Sequence, residues 1–225
     1  MLIQRVGLYT NKRKELEKFY VNRLGFSLLK SEEECFQIGV QESEIEFVTR
    51  EGEGSPFYHF AFDLPPNHFE AAKSWAQERV QLNREDGADE GIFSHLQARS
   101  FYFSDPAGNI VEFIARKSNQ KDHTKPFTAR VLQRVSEMSV VTRDVYTASQ
   151  KLRRIGIEER DQQKIHSKFL NLMGEREKAS YLLLVRPGRR WIFSNQSSAC
   201  FPLDITIKDR GIVSVDQQGI VHVSK

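Results

Sequence analysis

Apolar and polar positions in the first half of the chain follow one plan twice. An apolar strand, Arg5-Val6-Gly7-Leu8-Tyr9, opens the first copy. Leu16, Phe19, Tyr20 and Leu24 then recur at helical spacing, with Asn11 placed to act as N-cap. Gly25 stops this helix and Phe26-Ser27-Leu28-Leu29 resumes as a strand. In the last strand of the copy, which ends at Arg50, alternation puts Ile45 and Phe47 on one face and Glu44, Glu46 and Val48 on the other.

Gly52, Gly54 and Pro56 interrupt the pattern, which then restarts. Tyr58–Leu64 reads as a strand, Pro65-Pro66-Asn67 as a turn and N-cap, and residues 68–80 as a helix with the stripe Phe69, Ala72, Ala76 and Val80. Residues 81–95 are polar and predict a loop or a weak edge strand. Ser100–Phe103 and Ile110–Ala115 are strands joined by the tight turn Asp105-Pro106-Ala107-Gly108-Asn109. A βαβββ repeat of this kind predicts two modules that complete each other's core. It superposes Arg5 on His59 and Glu46 on Glu112, making the four residues candidates for one shared site.

Residues 118–130 carry charge and Pro126 without periodicity, and predict a linker. Beyond it the pattern returns more faintly. Ser136–Val141 reads as a strand, Val145, Ala148, Leu152 and Ile155 as a helix ended by Gly156, and Phe169–Met173, Ser180–Val185 and Trp191–Ser194 as strands. Phe201–Ile207 resembles the opening strand of a fourth module, and Arg210–Lys225 has room only for a hairpin. The expected organisation is a domain at 1–117 built from modules 1–50 and 57–117, then the linker, then a degenerate βαβββ-type domain at 131–225.

Composition narrows the function classes. A net charge of +3, with acidic residues interrupting every longer basic stretch, argues against nucleic-acid binding. No apolar run reaches the ~18 residues needed to cross a bilayer, so no membrane partner is expected. Cys35 and Cys200 fit free thiols in a reducing compartment, and a cytoplasmic location is the default expectation. There is no nucleophile-elbow sequence and no Gly-rich phosphate loop.

The run Phe101-Tyr102-Phe103-Ser104-Asp105-Pro106-Ala107-Gly108-Asn109-Ile110-Val111-Glu112-Phe113 resembles the closing signature of the vicinal oxygen chelate superfamily. That superfamily includes glyoxalase I, the extradiol ring-cleaving dioxygenases and the fosfomycin and bleomycin resistance proteins. Phe19-Tyr20 with Leu24-Gly25-Phe26 is similar to its first-helix signature, and His59-Phe60-Ala61-Phe62 to the strand opening its second module. The resemblance implies an α+β fold: paired βαβββ modules forming an open, cup-shaped mixed sheet with helices outside, here with a degenerate third module. It also implies a small-molecule ligand and a homodimer.

In the superfamily the first and last strands of the modules supply ligands to one divalent metal. Carried over, His59, Glu112 and Glu46 would bind Fe, Mn, Ni, Co or Zn, and Glu46 or Glu112 would serve as catalytic base. Arg5 departs from the pattern, because a guanidinium has no lone pair to donate. Two readings stay open. Either Arg5 joins Tyr9 and His95 in contacting substrate, or it replaces the metal by pairing with Glu46 and Glu112. The first implies a metal-dependent lyase or ring-cleaving dioxygenase, the second a metal-free sequestering protein of the bleomycin-resistance type. Glu137 aligns with Arg5 and His59 but has no partner set within its own module.

Overall fold

A computed structural model describes residues 1–50, 52, 54–118 and 126–225. The first module forms β1 (Ile3–Thr10), α1 (Arg13–Glu17), β2 (Ser27–Ser31), β3 (Cys35–Val40) and β4 (Ser43–Thr49). The second forms β5 (His59–Leu64), α2 (Phe69–Gln77), β6 (Gly91–Phe93), β7 (Ala98–Ser104) and β8 (Ile110–Arg116). The third contributes β9 (Val135–Val141), α3 (Val145–Arg154), β10 (Asn171–Met173) and β11 (Tyr181–Val185), and the fourth β12 (Leu203–Ile207), β13 (Gly211–Val215) and β14 (Val221–Ser224).

These strands make two seven-stranded mixed sheets, ordered β14-β13-β12-β1-β4-β3-β2 and β10-β11-β9-β5-β8-β7-β6. The first two modules therefore do not close on each other as one cup. Each opening strand takes its own module's last strand as a parallel neighbour, β1 with β4 and β5 with β8. Its other edge is left for a strand from the C-terminal half. β12 pairs antiparallel with β1, and β9 antiparallel with β5. Modules one and four build the first sheet, and modules two and three the second, so the sheets cut across the division into 1–117 and 131–225. The third module keeps a helix between β9 and β11 and pairs them parallel. The fourth has no helix, so β12 and β13 join through a short turn and run antiparallel.

One large apolar core joins the helix-facing sides of both sheets. Tyr20 stacks on Phe47 of the first sheet at 5.2 Å, while its neighbour Phe19 lies 6.3 Å from Phe103 of the second. The segment carrying them, Lys18–Arg23, continues α1 in wider π-helical turns that keep Phe19, Tyr20 and Leu24 buried together. Tyr20 donates to Asp105 in the β7–β8 turn at 2.7 Å, fastening this helix to the second sheet. Gly25 ends it with φ 71°, a left-handed turn suited to glycine.

Local expectations fail in three places. Asn11 is not the N-cap of α1; its side chain accepts from Ser55 instead, and Lys12 N–H donates to Thr10 Oγ1. Asn67 lies inside a short 3-10 turn, and the residue at the N-cap position of α2 is His68, which is buried against Phe127. Trp191–Ser194 is a turn, not a strand. Most of the expected linker, residues 119–125 with His123, lies outside the described residues, while Phe127 packs on Trp75 at 5.2 Å. Among the described residues no helix is long and apolar enough to cross a membrane.

Candidate metal centre

The second sheet supplies a compact cluster. On β5, alternation sends Phe60, Phe62 and Leu64 into the large core and leaves His59, Ala61 and Asp63 on the opposite, concave face. On β8, Val111, Phe113 and Ala115 are core residues and Ile110, Glu112, Ile114 and Arg116 share the concave face. Ala61 pairs with Glu112 on one side and with Glu137 of β9 on the other. His59, Glu112 and Glu137 are thereby brought together, all buried, each offering a ligand atom within 4.8 Å of the others. Among the described residues this is the only such group of His, Cys, Asp and Glu.

Each of the three is held in a defined orientation. His59 Nδ1 lies 3.0 Å from the Ile110 carbonyl, so Nδ1 carries the proton and donates it there. The lone pair of Nε2 then faces Glu112 Oε2 at 3.4 Å. Tyr102 Oη donates to the other oxygen, Glu112 Oε1, at 2.9 Å. Glu137 Oε1 accepts from Arg116 Nη2, and Arg116 Nη1 donates to Ser136 Oγ at 3.2 Å while lying 3.7 Å from Asp63 Oδ1. Two donors with bond lengths of ~2.0–2.2 Å to one ion, set at right or tetrahedral angles, lie roughly 3.0–3.5 Å apart. The His59–Glu112 separation of 3.4 Å meets that requirement without rearrangement. The donor set is one imidazole and two carboxylates, a borderline mixture that suits Mn, Fe, Co, Ni or Zn.

Burial dominates the electrostatics. It raises the Glu137 carboxyl well above the ordinary carboxylate range, against the pull of Arg116, with the Glu112 charge adding to the rise. For His59, burial is the largest influence and disfavours the cation, yet the hydrogen bond and charge of Glu112, helped by Glu137, raise its proton affinity overall. Burial also pushes the Tyr102 hydroxyl far up, so it stays a donor. Two clustered carboxylates and an imidazole in a buried place are a site that a divalent cation would neutralise.

The cluster forms the floor of a cavity of about 240 Å³. Ile114, Leu172, Leu183 and Trp191 are among its walls, and His95 reaches its rim from an exposed 3-10 turn. Leu183 occupies an instructive position. It pairs with Ser139, two residues beyond Glu137, as Glu112 pairs with Ala61, two residues beyond His59. The fourth equivalent place is thus an apolar wall rather than a ligand.

Arg5, Tyr9 and Glu46 are not part of this centre. They sit on the first sheet, where Gly7 pairs with Glu46 on one side and Asp204 on the other. Register makes Arg5, Glu46 and Asp204 the counterparts of His59, Glu112 and Glu137. Arg5 Nη2 donates to Glu46 Oε2 at 2.6 Å. Arg5 pairs with Glu46 as expected, but in the counterpart site, so it neither competes for a metal at His59 nor pairs with Glu112. Tyr9 lines a separate groove with Asp204 and Asp216. Glu137 takes the place expected for Glu46. Its alignment with His59 in the repeat was the available signal; its partners come from the second module, not its own. Arg116 carried a weaker signal, sharing the parity of Glu112 along β8.

A family model described as toxoflavin-degrading enzyme matches residues 135–189, which contain Glu137 and Leu183. No curated protein sequence matches the chain. Among solved structures, a protein of Bacillus subtilis subsp. subtilis str. 168 assigned as a dioxygenase is similar over 82% of this chain and 63% of its own, at 13% identity and a TM-score of 0.55. An integron cassette protein from the mobile metagenome of the Halifax Harbour sewage outfall is 22% identical over 50% of this chain and 97% of its own, with a TM-score of 0.44. A lactoylglutathione lyase from Agrobacterium tumefaciens is 17% identical over 50% and 92%, with a TM-score of 0.42. The likeness to the Bacillus subtilis structure shows the fold alone: an α+β arrangement of mixed sheets built from βαβββ modules.

Proposed function

We propose that the chain is a metal-dependent enzyme acting on a small molecule with two adjacent oxygens, of the dioxygenase or lyase type. The observation carrying this reading is the buried His59–Glu112–Glu137 cluster at the floor of a largely apolar cavity. The match of residues 135–189 to the toxoflavin-degrading family supports a degradative role. A divalent ion held by these three residues would supply Lewis acidity toward the substrate oxygens and, if redox-active, toward dioxygen.

The chain's own residues prepare the site. His59 Nδ1–H on the Ile110 carbonyl fixes the tautomer that leaves Nε2 free. Tyr102 holds Oε1 of Glu112, leaving Oε2 to face His59, and Arg116 holds Oε1 of Glu137. Leu183, Ile114 and Trp191 give the same space apolar walls. Burial raises the proton affinity of Glu137, so a cation bound there would displace a proton from it.

The test is titration calorimetry of protein stripped of metal, with Mn, Fe, Ni and Zn salts, followed by assays of the loaded protein on catechols and on toxoflavin. One equivalent should bind, and His59→Ala or Glu112→Gln should weaken binding by a hundredfold or more while the circular dichroism stays unchanged. Binding that is absent, or indifferent to both substitutions, rejects the reading. A metal-free binding protein is the second reading, favoured by the Arg116–Glu137 ion pair, which neutralises one carboxylate without any metal.

A further inference from the structure

Arg189 lines the same cavity as the cluster, on the loop between β11 and β12. It is half-buried, and its guanidinium lies 5.5 Å from the centre of the Trp191 ring. Among the described residues no carboxylate pairs with it; its one side-chain hydrogen bond goes to the backbone carbonyl of Arg190. Its neighbour behaves differently. Arg190 is paired with Glu85, on the segment between α2 and β6. Burial, with the Arg190 charge beside it, pulls the Arg189 guanidinium below its ordinary value, and no acidic group offsets that. A half-buried cation without a counter-ion, facing a cavity, is costly unless a ligand supplies the charge.

The loop is also built to hold this side chain in place. Arg189 N–H donates to Ser198 Oγ, Ser198 N–H donates to the Arg189 carbonyl, and Trp191 N–H donates to the Gln196 carbonyl. Gln196 Nε2 donates to the Gly108 carbonyl at 2.7 Å, and Phe193 N–H to Glu85 Oε2 at 2.6 Å, tying the loop to the second module at two points. Phe193 stacks on Tyr102 at 4.6 Å, so the loop is seated directly on the residue that orients Glu112. Fixed backbone, an aromatic plate beneath the guanidinium and an unpaired charge make a prepared anion contact rather than a solvated surface arginine.

We propose that Arg189 is the specificity-determining residue of this cavity. It recognises an anionic group, carboxylate or acidic ring oxygen, carried by a planar aromatic substrate whose ring lies along Trp191. The proposal rests on the functional reading above, and it adds the charge and shape of the substrate. A volume of about 240 Å³ confines that substrate to one ring or a small fused pair.

The test compares 3,4-dihydroxybenzoate with its uncharged methyl ester by titration calorimetry, on the full chain, with one equivalent of Mn²⁺ and again in EDTA. The wild type should bind the acid at least tenfold tighter than the ester in both conditions. Arg189→Gln should erase that preference while leaving the ester's Kd within twofold, and Arg189→Lys should keep part of it. Equal binding of acid and ester by the wild type, a preference that survives Arg189→Gln, or no binding of either compound overturns the proposal. A protein that takes up no Mn²⁺ yet keeps the preference in EDTA would instead fail the metal reading alone.

Discussion

Tyr102 and Arg116 each donate to one oxygen of a buried carboxylate of the cluster, Tyr102 to Glu112 and Arg116 to Glu137. Tyr102→Phe removes a hydrogen bond but little volume. Metal affinity should fall 10–100-fold, as is usual when an outer partner of a ligand is lost, while stability falls by about 1 kcal/mol. Titration calorimetry and urea unfolding would separate the two effects. Arg116 is the more structural of the two, since its bond to Glu137 is a buried ion pair. Arg116→Met strands the Glu137 charge and should cost about 3–5 kcal/mol in urea unfolding, and adding Glu137→Gln should recover much of that loss. Equal stability of the single and double variants would show that the ion pair is not what holds this place. His59 and Glu112 were legible in the chain because each sits in a motif whose neighbours alternate cleanly. Glu137 was legible only as an alignment, since the pairing of β9 with β5 joins strands far apart in sequence and leaves no local pattern.

At the level of elements, the β7–β8 turn and the two opening strands carry testable consequences. Asp105 accepts from Ala107 N–H, Asn109 N–H, the Asn109 amide and Tyr20 Oη, which explains why the turn needs an acceptor-only side chain. Burial nevertheless pushes its carboxyl from the ordinary 3.8 up to about 6. A raised value means that the folded state holds the proton more tightly than the unfolded one, so this contribution is present at low pH and is lost as pH rises through about 6. Relative to Asp105→Asn, the wild type should lose up to about 3 kcal/mol of stability between pH 4 and pH 7. A difference that stays flat across that range would contradict the assignment. On β1, Arg5 stands where His59 stands on β5. Arg5→His should give the first sheet a histidine beside Glu46 and Asp204 and raise the Zn²⁺ or Ni²⁺ stoichiometry by one equivalent, measured by elemental analysis. An unchanged stoichiometry would show that the equivalence of register does not extend to the side chains. Elements with clean periodicity are those the sequence reading places: β1, β4, β5, β7 and β8, and again α3, whereas the polar stretch before β7 left β6 open between a loop and an edge strand. Trp191–Ser194 misled because its bulky residues serve the cavity wall from a turn, and an apolar run of that length has no period of its own.

For the molecule as a whole, the repeat was visible in the sequence but the pairing of its copies was not. Four successive modules can close as neighbours or interleave, and the hydrophobic pattern of each strand is the same in both arrangements. Here β1 and β5 both need a C-terminal strand on their second edge. A fragment ending at residue 117 should therefore expose two apolar strand edges and lack Glu137. It is expected to aggregate or self-associate, to be checked by size-exclusion chromatography and circular dichroism. A monomeric, cooperatively folded fragment would show that the first two modules suffice. The interleaving also sets an order of events during synthesis. Ile3 finds its neighbour in Ile207, so β1 leaves the ribosome about 10–40 s before its partner strand exists, at a rate of about 5–20 residues per second. Throughout that interval its edge is open to any other nascent strand nearby. The second sheet can be finished first, with the His59–Glu112–Glu137 cluster assembled, while the first still waits. A chain stalled late in translation would then hold an assembled cluster on an unfinished protein, and chaperone capture should concentrate on β1 rather than on the second sheet.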